Sequence, residues 1–223
     1  MACVAGCGVN PVPEPPAAPA LVGEVSGAYC DACDDPVIDL AGGPGSARNA
    51  DAVWAVNLDG TAPPAVAEVG ADGSFVLSLE ASPGDEVRLQ ARRGERRSEP
   101  VDRVVAVGIL ESAPRPLADC LRVAPELALP DTAVGEASTG VLRIEHGCGA
   151  PLAIDAIALR APAEELVVQG TPAPVVVEPG EPLEVLVTFR PRASGAREEV
   201  LLLEVSSPAA TRRAVTLFGR GVP

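Results

Sequence analysis

Leu183-Glu184-Val185-Leu186-Val187-Thr188-Phe189-Arg190 is the stretch on which the fold turns. Leu183, Val185, Val187 and Phe189 alternate with Glu184, Leu186, Thr188 and Arg190, and a period of two sends each set to its own face of a β-strand. The same beat recurs at residues 141–146, 152–159, 199–205 and 214–218, with Gly- and Pro-bearing turns between. Short alternating strands at this spacing, with no helical stretch separating them, predict an antiparallel β-sandwich.

Working outward, the N-terminal half reads in the same way. Residues 21–29, 36–40, 52–58, 65–69, 74–79, 87–91 and 101–107 are strand-like. Ala71-Asp72-Gly73 is an Asp-Gly hairpin signal between two of them, and Arg92-Arg93-Gly94-Glu95 is a second turn. The fold class expected is all-β: two Ig-like antiparallel β-sandwich domains in tandem. The boundaries are 1–20 for an N-terminal segment and Pro-rich tether, 21–110 for one sandwich, 111–118 for a linker and 119–223 for the other.

Composition fits this reading. Of the 223 residues 47% are hydrophobic but only 2% aromatic, so the cores must be built from Val, Leu, Ile and Ala. The 24 prolines and 22 glycines punctuate turns and argue against long helices. A net charge of −14 repels phosphate backbones and anionic headgroups, so nucleic acid is not an expected partner. Every basic residue is Arg, a bias that with the Ala, Pro and Gly content points to a GC-rich bacterial genome. No apolar run reaches the length a transmembrane helix needs.

Cysteines stand at 3, 7, 30, 33, 120 and 148. Cys120 precedes one strand and Cys148 follows another. In an antiparallel pair those ends are neighbours, so a Cys120–Cys148 disulfide is expected, and with it an oxidising compartment. Cys30-Asp31-Ala32-Cys33 is a CxxC. The acidic neighbours Asp31, Asp34 and Asp35 disfavour a redox thiolate, and four zinc ligands are not at hand. A local Cys30–Cys33 disulfide is the preferred reading, with redox and metal roles as alternatives.

Val4-Ala5-Gly6-Cys7 resembles a bacterial lipobox, in which the Cys carries the lipid. That resemblance implies lipidation of Cys7, with the Pro-rich residues 12–19 as an extended spacer. The residues before Cys7 are too few for a signal peptide. Either the start codon is placed too late or Cys7 is an ordinary cysteine; the first is the expectation.

Two further resemblances follow from motifs. Asp72-Gly73-Ser74-Phe75, Ser82-Pro83-Gly84-Asp85 and Ser98-Glu99-Pro100-Val101 resemble bacterial Ig-like and carboxypeptidase-regulatory-like domains over about residues 21–108. Val123-Ala124-Pro125-Glu126-Leu127, Val177-Glu178-Pro179-Gly180, Val187-Thr188-Phe189-Arg190-Pro191 and Leu217-Phe218-Gly219-Arg220-Gly221 resemble the ASH (Hydin-like) or choice-of-anchor D domain over about 119–222. That family is an Ig-like sandwich related to the major sperm protein and to pilus chaperones. In bacteria it implies a secreted or surface-anchored protein.

Residues equipped for chemistry are few. His146 is the sole histidine and reads as a partly exposed residue at a strand end. Glu164-Glu165 and Glu198-Glu199 are adjacent, so on a strand they diverge and read as solvated charge rather than an acid–base pair. The run 92–97 holds four arginines and reads as a solvated turn. Asp31, Asp34, Asp35 and Asp39 are a weak calcium candidate without the spacing of a dedicated loop.

The function expected is therefore non-enzymatic, with no catalytic residues, no cofactor and no metal assigned. It is that of a lipid-anchored cell-envelope scaffold, structural or adhesive, whose protein partner adds a strand to an exposed sheet edge. A periplasmic chaperone or assembly factor and an accessory binding module of a surface enzyme are the rivals.

Overall fold

The computed structural model describes residues 17–29, 36–107, 109–169 and 173–223. The N-terminal half contains β1 (Ala20–Leu21), β2 (Val25–Tyr29), β3 (Val37–Gly42), β4 (Ala47–Arg48), β5 (Ala52–Asn57), β6 (Ala65–Glu68), β7 (Phe75–Glu80), β8 (Glu86–Arg93), β9 (Arg96–Arg97), β10 (Val101–Ala106) and β11 (Ile109–Ser112). The C-terminal half contains β12 (Leu121–Val123), β13 (Glu126–Ala128), β14 (Thr132–Ala133), β15 (Ser138–His146), β16 (Leu152–Leu159), β17 (Leu166–Gln169), β18 (Val175–Val177), β19 (Pro182–Phe189), β20 (Gly195–Ser207) and β21 (Thr211–Val222). Among the described residues there is no helix, and the fold is all-β and Ig-like.

No sheet mixes strands of the two halves. In the first, the sheet β2-β3-β7 faces the sheet β11-β10-β8-β5-β6, with β9 paired to β8. Ile38, Leu40, Phe75, Leu77 and Leu79 from one layer meet Val53, Ala55, Val87 and Leu89 from the other. In the second half, β12-β15-β19-β17 faces β13-β21-β20-β16-β18. There Leu142, Ile144, Val185, Val187 and Phe189 close on Leu152, Ile154, Leu201, Leu203, Val215 and Leu217. These are the inward members of the alternating patterns, and each aliphatic side chain so buried contributes about 1.5–3 kcal/mol. Sheets that face in this way lie about 10 Å apart.

Three expectations are corrected. The Asp-Gly turn does not make a hairpin: β6 pairs with β5, whereas β7 pairs with β3 in the opposite sheet. The turn itself forms, with Gly73 at φ 84°. Its backbone is latched to the 43–48 loop by Gly45 N–H to Asp72 O at 2.7 Å and Ala47 N–H to Gly73 O at 3.0 Å. Those contacts redirect the chain across the sandwich, and a Cβ on residue 73 would sit 2.7 Å from the Ala47 carbonyl oxygen. The expected linker also begins with structure, because Glu111 and Ser112 belong to β11 and pair with Val104 and Arg103. Finally, the second sandwich is not purely antiparallel. β13 and β14 run parallel to β21, Glu126 opposite Thr216 and Thr132 opposite Gly221.

Candidate functional site

The two sandwiches are stacked face to face. β5 shows why. In Ala52-Val53-Trp54-Ala55-Val56-Asn57 the inward positions fill the first core, but the outward ones are apolar as well. Trp54, Val56 and Leu58 pack on Val200, Leu202 and Ala214, the outward positions of β20 and β21. Trp54 is only 3% exposed. The two inner sheets therefore have protein on both faces, and the molecule is four β-layers deep.

Around that apolar strip the interface is polar, and its cations are all arginines. The outward positions of β8 are Arg88, Gln90 and Arg92, all alternating with the core residues Val87, Leu89 and Ala91. Arg92 donates from both terminal nitrogens to Glu198, at 2.7 and 2.5 Å, and lies over the Trp54 ring at 4.6 Å. Burial pulls the Arg92 guanidinium below its usual value, and the Glu198 carboxylate opposes that pull. Arg97 lies over the Phe218 ring at 3.9 Å and has its Nε 3.8 Å from the same Glu198. Gln90 donates to Glu126 across the boundary. Arg160 pairs with Glu199 at 3.1 Å and donates to the Gly60 and Ala62 carbonyls at 2.7 and 3.0 Å. Arg212 bridges Asp59 at 2.8 Å and Glu204 at 2.7 Å. Although burial works against it, the hydrogen bonds from Arg212 and from the Glu86 N–H hold the Asp59 carboxyl below the usual range. Each guanidinium supplies a planar fork of donors that carboxylates and carbonyls satisfy directionally.

At one rim of this interface a cleft of about 570 Å³ opens between the halves. Arg88, Arg115, Arg122, Arg143, Arg212 and Arg213 line it, against the carboxylates Glu99, Asp102 and Glu145. At its floor Arg88 forms a bidentate pair with Asp102, at 2.8 and 3.0 Å, and also donates to Thr216 Oγ1 at 3.3 Å. Arg115 reaches the same Asp102 at 2.6 Å. Burial, and then the charge of Arg115, depress the Arg213 guanidinium below its usual value. Burial and the nearby Asp102 raise the Glu86 carboxyl.

The residues singled out from the sequence fall as follows. Cys120 and Cys148 are disulfide-bonded, with Cα atoms 4.7 Å apart, because Leu121 pairs with His146 at the ends of β12 and β15. Cys7, Cys30, Cys33, Asp31, Asp34 and Asp35 lie outside the described residues. Asp39 is on β3, where its Oδ1 accepts from the Ser78 hydroxyl at 2.6 Å. Among the described residues no cluster of His, Cys, Asp or Glu is placed to hold a metal ion.

Further readings are corrected. His146 is not partly exposed: it is buried, and neither ring nitrogen has a hydrogen-bond partner among the described residues. The 92–97 run is a solvated turn only in its middle, residues 93–96; Arg92 and Arg97 on either side are held by Glu198 and by aromatic rings. Glu198 and Glu199 do diverge to opposite sides, yet both are paired inside the structure rather than solvated. The interface went unseen at the sequence level, although β5 carried its signature. An apolar run without alternation marks a strand covered on both faces.

No protein-family model and no curated protein matches the chain. Solved structures to which it is similar include an ASH/PapD-like domain of human CEP192, at 16% identity with a TM-score of 0.38, covering 53% of this chain and 96% of that one. A protein of unknown function from Porphyromonas gingivalis W83 aligns at 13% identity and a TM-score of 0.39, over 87% and 96% of the two chains. The Vibrio cholerae VesB protease aligns at 10% identity and 0.41, over 75% of this chain and 62% of that one.

Proposed function

We propose that this chain is a non-enzymatic scaffold of a bacterial cell envelope, held to a membrane by lipid on Cys7 and presenting a sheet edge to a protein partner. The observation that carries the reading is the four-layer stack with an open flank at β7. Ion pairs and apolar side chains fix the two sandwiches together, which suits a rigid presenting body. β7 is paired to β3 on one side and to no described strand on the other. Along it Val76, Ser78 and Glu80 are exposed, alternating with the buried Phe75, Leu77 and Leu79. Such an edge offers main-chain donors and acceptors to an incoming strand, with Val76 supplying apolar contact. The Cys120–Cys148 bond supports an oxidising location.

The test has two arms. Mass spectrometry of protein isolated from its native envelope is expected to find diacylglycerol on Cys7 and no free thiol at 120 or 148; free thiols there rule out the exported scaffold. Copurification from the same envelope is expected to recover a partner with the wild-type chain and to lose it with Val76→Lys, which places a charge on the edge. Equal recovery by both refutes the edge as the binding surface.

A further inference from the structure

We infer that the arginine-lined cleft between the sandwiches binds a small oxyanion, phosphate or polycarboxylate in class. Elsewhere in this interface arginines are matched to carboxylates: Arg92 and Arg97 to Glu198, Arg160 to Glu199, Arg220 to Glu95. The cleft breaks that pattern. Arg122 and Arg213 have no carboxylate within 4.0 Å among the described residues, and Arg115 shares Asp102 with Arg88, whose two nitrogens already occupy both of its oxygens. Arg213 Nη2 is buried without a hydrogen-bond partner, and the nitrogen Nη1 has only long contacts, 3.3 Å to Thr211 and 3.4 Å to the Arg212 carbonyl.

Leaving a buried charged donor unsatisfied carries its full desolvation penalty unless something accepts from it. An oxyanion with two or more acceptor oxygens does so, and guanidinium forks bind such groups in bidentate fashion. Setting aside Arg212, which Asp59 and Glu204 already match, five arginines face three carboxylates in one cleft of a chain whose net charge is −14. Its positive potential is thus a local arrangement and not a reflection of composition. A volume of about 570 Å³ suits a small molecule. The acidic remainder of the surface repels an extended polyanion, so a compact ligand is the one that fits.

Isothermal titration calorimetry of the full chain at low salt tests this, with inorganic phosphate and citrate as probes and chloride at matched ionic strength as control. Saturable binding of at least one probe is expected. Phosphate alone identifies a phosphate-bearing ligand class, and citrate alone a carboxylate-bearing one. Arg122→Gln and Arg213→Gln are each expected to weaken binding about tenfold, the loss of one charge-assisted contact. Arg48→Gln, an exposed arginine on β4, leaves it unchanged. Arg122 is exposed and makes no side-chain hydrogen bond or ion pair among the described residues, so its substitution reads the site even if Arg213→Gln unfolds the chain. Heats no larger than those of chloride for both probes overturn the inference. So does an affinity that Arg122→Gln leaves intact.

Discussion

Glu198→Gln tests the stack directly. Glu198 accepts two hydrogen bonds from Arg92, at 2.7 and 2.5 Å, and faces Arg97 at 3.8 Å. Its side chain is 15% exposed and that of Arg92 18%, so solvent screening is weak. Charge-assisted hydrogen bonds are each worth about 1.5–3 kcal/mol. The glutamine oxygen retains part of one, but it no longer neutralises two adjacent guanidiniums. A loss of about 3 kcal/mol follows, in line with breaking one partner of a buried pair. For a chain of this size that is a fall in Tm of about 6–12 °C. Trp54, the sole tryptophan, sits inside the interface within 4.6 Å of Arg92. Its fluorescence therefore reports the stack, while far-UV circular dichroism reports the sheets. In urea the variant is expected to show the fluorescence transition shifted to lower denaturant than wild type, ahead of the circular dichroism change. A loss below about 1 kcal/mol, with the fluorescence transition unmoved, refutes the placement of Glu198 between the two arginines.

Three other outcomes follow from the same geometry. Cys120→Ser with Cys148→Ser opens a loop of sequence separation 28 and is expected to lower stability by about 3–4 kcal/mol, measured by urea unfolding. His146→Leu removes a buried imidazole with two unpartnered nitrogens and is expected to be neutral or stabilising by about 1 kcal/mol; a loss above 2 kcal/mol shows that the ring is bonded after all. Asp59 has a folded-state pKa held below its ordinary value, so its contribution is present above the unfolded pKa of about 3.9 and lost as pH falls through the folded value. Asp59→Asn is therefore expected to flatten that acid limb of stability. An unchanged limb removes Asp59 from the latch with Arg212.

Much of the fold was legible because it is local. The alternation in β15, β19 and β21 states which residues face inward, and neighbouring strand ends predicted the Cys120–Cys148 bond. What escaped was non-local. The turn at Asp72-Gly73 was read correctly as a turn, but its flanking strands choose partners in different sheets, and that choice depends on contacts with the 43–48 loop. Arg92, Arg97, Glu198 and Glu199 look solvated in sequence, since charged residues near turns usually are. Arg92 and Glu198 are 106 positions apart and only stacking brings them together, while Glu199 meets Arg160 39 positions away in its own half. Trp54-Ala55-Val56 within β5 was the visible clue, an apolar run too continuous for a sheet with one wet face. The cleft likewise draws on Arg88, Arg122 and Arg213, residues that no spacing rule connects.

The two inner sheets carry a consequence for how this polypeptide can be handled. Tandem sandwiches hung on a flexible joint behave like beads, each of which can be cut free, shuffled or produced by itself. Here the roof of one bead is the floor of the next. Severed near residue 114, either fragment displays an oily wall fringed with uncompensated charge, Trp54, Val56 and Leu58 on one and Val200, Leu202 and Ala214 on the other. Such a wall invites self-association, so either half produced without the other is expected to aggregate.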